Sequence, residues 1–144
     1  MRASKELIES AYNLHAKNYD LAVKLYRLIG LNIEKYRLRG VELLQLKPGD
    51  FVLDIGCGTG LNFRPLIQQI GPQGRIIGVD ISSEMLSYAK ERIKTEKWDN
   101  VDLVHSDINS YKFPNDINGV ISTGVFGYLN ERDKILETIS QRLV

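Results

Sequence analysis

Apolar positions along this chain follow two rhythms. From Leu7 to Tyr26 they return every three or four residues, through Ile8, Ala11, Tyr12, Ala16, Tyr19, Ala22 and Leu25, which is the spacing of a helix face. Gly30 reads as the stop, and a further helix is expected from Asn32 to Leu46. Lys47-Pro48-Gly49-Asp50 then makes a turn with Pro and Gly at its centre. Beyond it, short apolar runs alternate with longer amphipathic ones: strand (Phe51 to Ile55), helix (Asn62 to Ile70), strand (Arg75 to Val79), helix (Ser83 to Thr95), strand (Val101 to His105), strand (Asn118 to Thr123), helix (Glu131 to Leu143). Such alternation predicts an α/β fold with a parallel, doubly wound sheet. The stretch Ser106 to Ile117 is short for a crossover helix, so only an abbreviated helical turn is expected there.

Length and composition fit one small α/β unit, since 144 residues with 43% hydrophobic content suffice for a single core. The net charge is +1, with no block of like charges to suggest a nucleic-acid surface. Residues Met1 to Asp50 carry +3 and the remainder −2, too small a bias to argue for a membrane or phosphate partner. The one cysteine, Cys57, rules out an internal disulfide framework and agrees with a reducing, cytoplasmic setting. No apolar run approaches the ~20 residues that a membrane-spanning helix needs. No Cys/His cluster offers metal ligands.

Candidate chemistry starts where the first strand ends. Val52 to Gly60, VLDIGCGTG, delivers an apolar run into glycines at Gly56, Gly58 and Gly60. Glycine admits positive φ and carries no Cβ, so such a turn can lie close against a flat ligand. Asp54 is the polar exception in the run; a buried carboxylate there needs partners, either loop amides or a cationic ligand group held through water. The spacing is G-x-G-x-G. The dinucleotide fingerprint G-x-G-x-x-G fails in both registers, because its third glycine would fall at Leu61 or Phe63. A glycine-rich turn with no ligand explains G-x-G-x-G taken alone, so the downstream residues decide.

Asp80 closes the second strand about twenty residues beyond the glycine turn, where a carboxylate can accept from two vicinal ribose hydroxyls. Ser82 or Ser83 can cap the following helix without its help. The third strand ends in His105-Ser106-Asp107-Ile108, where the alternative for Asp107 is an Asx turn. Cys57 sits between glycines and suits packing behind the loop rather than nucleophilic chemistry.

Taken together, Lys47 to Leu143 resembles the cofactor-binding half of the class I S-adenosylmethionine-dependent methyltransferases, nearest in flavour to quinone-biosynthesis and phospholipid methyltransferases. The resemblance implies a Rossmann-like parallel sheet of strand order 3-2-1-4, with helices on both faces and an N-terminal helical segment. By position, Asp54, Gly56, Gly58, Thr59 and Gly60 match the first motif, Asp80 and the adjoining Ile81 the ribose-binding strand end, and Asp107-Ile108 the pair that meets adenine. Thr123 falls where the fourth strand presents oxygen to the methionine end. Residues 1–46 then become a helical lid or substrate segment on a partial core, residues 47–144, within one domain. In resembling enzymes an N-terminal Tyr covers the methionine moiety, and Tyr19 is the choice here. Tyr12, Tyr26 and Tyr36 fit a packing role, Arg37 and Arg39 a solvated one, and neither His15 nor His105 recommends itself as a base.

The implied cofactor is S-adenosyl-L-methionine and the implied reaction methyl transfer to a small-molecule or lipid acceptor, such as a quinone precursor or phospholipid amine, with peripheral membrane contact an open matter. Ser122-Thr123-Gly124-Val125 lacks the Asp/Asn-Pro-Pro-aromatic run of methyltransferases that modify nitrogens in nucleic acid and protein, and one cysteine is too few for arsenite methylation. The alternatives are a non-catalytic S-adenosylmethionine-binding module or inactive fragment and, less well matched, an NAD-dependent oxidoreductase. Members of the family continue beyond the fourth strand, so a chain ending at Val144 is expected to leave that strand as an apolar edge prone to self-association.

Overall fold

The structure, a computed structural model, describes residues 4–129 and 131–144. Helix α1 (Lys5–Tyr26) starts on a capping hydroxyl, with the Leu7 amide donating to Ser4 Oγ at 3.3 Å. It tightens into a 3-10 turn at Arg27–Ile29 and stops at Gly30, whose φ of 83° no β-carbon opposes. Helix α2 (Ile33–Leu43) is capped by Asn32 and ends earlier than Leu46, because Gln45 turns the chain at a φ of 51°.

Four parallel strands follow, β1 (Phe51–Ile55), β2 (Arg75–Asp80), β3 (Val101–His105) and β4 (Gly119–Ile121), in the order β3-β2-β1-β4. The strand order is the one expected. The helices between and after them are α3 (Phe63–Ile70), α4 (Ser83–Glu96) and α5 (Arg132–Ser140). Central β1 pairs with β2 on one side and β4 on the other, so Val52 to Ile55 are buried on both faces. Alternation along β1 divides the core. Val52 packs with Phe63, Leu66 and Ile70 of α3 and Ala89 of α4, whereas Leu53 and Ile55 pack with Ile117 and with Ile135 and Ile139 of α5. Each such large side chain removed from water contributes about 1.5–3 kcal/mol.

Two further boundaries differ from the sequence pattern, because residues there meet partners distant in the chain. Strand β4 is shorter than Asn118 to Thr123, because Asn118 turns its side chain to accept the Phe51 amide at 2.8 Å and Thr123 enters a polar cluster described below. The β3–β4 crossover keeps to the expected abbreviation, a single turn in which the Ser110 amide donates to Asp107 O at 3.1 Å. Helix α5 ends at Ser140, after which the chain runs beside Ile117: the Ile117 amide donates to Arg142 O at 3.0 Å and the Val144 amide to Ile117 O at 3.1 Å. Leu136 and Leu143 are exposed, whereas Ile135 and Ile139 are buried. That last segment flanks the entry to β4, a contact the linear pattern did not suggest.

Candidate functional site

Parallel strands leave their ligand-facing loops at one edge, and here the carboxyl ends of β1, β2 and β3 meet below α1. A cavity at that edge is lined by Gly56 and Gly58 from the β1 loop, Asp80 and Ile81 from β2, Asp107 and Ile108 after β3, and Thr123 after β4. From α1, Ile8, Tyr12 and Tyr19 close it. Eight of the eleven sequence-chosen residues thus line one cavity. Asp54, Thr59 and Gly60 do not; all three are buried.

The glycines serve different purposes. A Cβ on Gly56 would stand 1.9 Å from Val125 Cγ2, and one on Gly60 would stand 2.5 Å from the Phe63 ring, so both are small because protein packs against them. Only Gly58, at a φ of 55°, faces open space. Internal packing explains its two neighbours, whereas open space lies beside Gly58. Gly58→Ala is therefore expected to cost only about 1–2 kcal/mol of stability, the left-handed penalty for a β-carbon, which a urea midpoint would measure.

Asp80 organises the loop. Its Oδ2 accepts the Gly58 amide at 2.8 Å and its Oδ1 the Ser82 amide at 2.8 Å. Burial raises its pKa above the usual carboxylate value, while those amides and His105 pull it back. The Ile81 amide adds a third backbone bond, and three donors leave the carboxylate's four lone pairs with capacity for an outside donor. Asp107 makes the Asx turn, Oδ1 accepting the Asn109 amide at 3.0 Å, and still lines the cavity, so the two alternatives for it are compatible. His105 Nε2 donates to Ile81 O at 2.8 Å, a structural use. Cys57 is buried behind the loop, as expected, and burial pushes its thiol well above the ordinary value.

Beneath the loop lies a polar cluster. Arg37, expected to be solvated, is instead buried: its Nη1 donates to Asn62 Oδ1 at 2.8 Å and to Thr123 Oγ1 at 3.1 Å. Asn62 Nδ2 donates in turn to Asp54 Oδ1 at 3.0 Å and to Thr123 Oγ1 at 3.3 Å. Asp54 Oδ2 is buried with no hydrogen-bond partner. Burial pushes the Asp54 pKa up to about 7, although the Asn62 bond and the Arg37 charge both oppose the rise. Thr123 accepts from this cluster, and its own hydroxyl proton remains available toward the cavity it lines.

Two clasps hold α1 over the cavity. Thr59 Oγ1 donates to Asp20 Oδ1 at 2.5 Å, and Arg92 of α4 bonds both Asp20 and, at 2.9 Å, Thr59 O. Seven residues earlier on α1, Asn13 Oδ1 accepts from Ser82 Oγ at 2.6 Å. Thr59 thus ties loop to helix. Sequence reasoning missed Asn13, Asp20, Asn62 and Arg92. Asn62, a polar residue buried at the start of an apolar helix, carried a faint signal, while the others acquire their roles only through contacts 33 or more residues away.

Comparison with known proteins agrees with this geometry. Residues 52–144 match the family described as Methyltransferase domain. The demethylmenaquinone methyltransferase of Staphylococcus carnosus is 32% identical over 94% of this chain and 54% of its own length; that of Listeria welshimeri is 28% identical over 90% and 53%. The chain spans about half the length of these relatives. A SAM-dependent methyltransferase from Aquifex aeolicus superposes with a TM-score of 0.70 at 26% identity, covering 89% of this chain and 66% of that one. With its G-x-G-x-G loop at the end of β1, its 3-2-1-4 parallel sheet and the family match over most of its length, the chain belongs to the class I S-adenosylmethionine-dependent methyltransferases.

Proposed function

We propose that the cavity holds S-adenosylmethionine for methyl transfer to an apolar small-molecule acceptor of the quinone-precursor type. The observation that carries the reading is the convergence of Gly58, Asp80, Ile81, Asp107 and Ile108 on one cavity. The residues fit the cofactor. Gly58 leaves space that a Cβ would fill, Asp80 keeps acceptor capacity for the ribose hydroxyls, and Asp107-Ile108 offer a polar and an apolar edge to adenine. Thr123 and Tyr19 flank the methionine end, Tyr19 as part of a lid that keeps water out. When bound, the cofactor supplies an activated methyl group on a sulfonium. The chain's own contribution is to position and desolvate, and close orientation of reactants can supply about 7–11 kcal/mol in favourable cases. The acceptor part of the reading is supported by the names of two relatives, both demethylmenaquinone methyltransferases.

Isothermal titration calorimetry with S-adenosylmethionine, S-adenosylhomocysteine and NAD tests the first half. Binding of the first two and not NAD is expected. In a folded Asp80→Ala variant, loss of charge-assisted bonds to the ribose should cost about 1.5–3 kcal/mol, roughly ten- to a hundredfold in affinity. Unchanged affinity would remove Asp80 from the site. Transfer of labelled methyl to a demethylmenaquinone tests the second half; cofactor binding without turnover would favour a binding module.

A further inference from the structure

The outer face of α1 carries a pattern that cofactor binding does not use. Leu7, Leu14 and Leu21 stand seven residues apart, Leu28 of the following 3-10 turn continues the interval, and Ala11, Asn18 and Leu25 fill the intervening four-residue steps. This is the a/d rhythm of a two-stranded coiled coil, with leucine at d and one asparagine at a. At 100° per residue the stripe lies opposite Ala16, the residue α1 buries against its own protein, and away from the clasps at Asn13 and Asp20. All seven stripe residues are exposed, and the five leucines are between 51% and 80% accessible. A helix with apolar residues on both faces fits burial on both sides, and only one side is covered here.

We propose that this stripe pairs with the same stripe of a second copy of the chain, giving a parallel, in-register α1–α1 dimer. The exposed leucine area is on the order of 600 Å² per copy, about 1,200 Å² in a pair, which reaches the range of specific protein interfaces. The helix is already folded against α4, so pairing carries no separate cost of helix formation. Asn18 sets the direction. In a parallel seam it meets Asn18 of the second copy and the two amides bond to each other, whereas an antiparallel seam sets it against a leucine with its amide unpaired. Along the flanks of the parallel seam, Ser10 faces the second copy's His15 and Lys17 its Ala22, so no like charges oppose one another.

Sedimentation velocity of the 144-residue chain across about 1–300 µM, where mass action must reveal a reversible pair, should show a monomer–dimer equilibrium. Leu14→Glu combined with Leu21→Glu should leave a monomer at every concentration, with an unchanged melting temperature. Asn18→Cys should crosslink into a covalent dimer under mild oxidation, the native Cys57 being buried. A wild type that stays monomeric overturns the proposal, as does a dimer that survives the double glutamate change and so uses another surface, such as the β4 edge. A dimer in which Asn18→Cys fails to crosslink overturns the parallel register. A monomer that floats with anionic phospholipid vesicles, and loses that binding in the double variant, overturns it too and gives the face to lipid.

Discussion

Replacing Arg37 with alanine is expected to lower the unfolding free energy by about 3–5 kcal/mol, because it strips the charge and donors from a buried cluster without refilling them. Asn62 Oδ1 and Thr123 Oγ1 lose donors at 2.8 and 3.1 Å, and Asp54 loses the positive charge that holds its pKa down. Solvent cannot easily make good the loss, since Arg37 is 8% exposed and Asn62 and Asp54 less. Urea unfolding at neutral pH measures the effect. Arg37→Lys, which keeps the charge but not the forked geometry, should fall between wild type and alanine. A loss below about 1 kcal/mol with an unchanged slope would be what a surface arginine gives, and the cluster would not be the support under the glycine loop that its geometry describes.

A change in the pH dependence of stability is the expected result of Asp54→Asn. The carboxyl of Asp54 is pushed from 3.8 up to about 7 by burial. Between those values the folded chain retains a proton that the unfolded chain has released. Stability therefore falls as pH rises, by about 1.4 kcal/mol per unit within the window and about 4 kcal/mol across it at most. The contribution is fully present below pH 3.8 and is lost as pH passes about 7. Asparagine cannot ionise, so the variant should match wild type near pH 4 and exceed it by a few kcal/mol near pH 8. Asp80, whose pKa is also raised, keeps a slope of the same sign in both proteins. Parallel stability curves for the two proteins would show that Asp54 stays ionised in the fold, and that Arg37 and Asn62 compensate its burial.

The two expectations share a cause. The glycine loop rests on a charged residue from α2, an amide from the start of α3, a carboxylate inside β1 and a hydroxyl after β4. Residues from α2 and from the end of β4 thus meet the consecutive β1 and α3 at one buried point. Disturbing any of them should therefore be felt in the loop that carries Gly58, and through the Asp80–Gly58 bond in the cavity itself.

Much of this protein follows from its sequence because the signals are local. The period of the apolar residues separates helix from strand. Glycines at alternate positions mark the loop, and acids at the tips of β2 and β3 fall on the cavity because parallel strands bring their carboxyl ends to one edge. The boundaries of β4 and α5 were less legible, since Asn118, Thr123 and the chain after Ser140 answer to partners far away in sequence. Arg37 was misjudged for the same reason: nothing near Tyr36 or Leu38 tells of Asn62 and Thr123, 25 and 86 residues away. Gly56 and Gly60 were assigned to ligand approach, but Val125 and the Phe63 ring occupy the space beside them. The sequence by itself determined the order of elements, the loop and the acids, which depend on period and on conformational freedom. Tertiary structure alone decided which buried polar atoms find partners, how Asp20 and Asn13 clasp α1 to the site and which face of α1 stays uncovered, because those outcomes depend on distances between segments that no local pattern encodes.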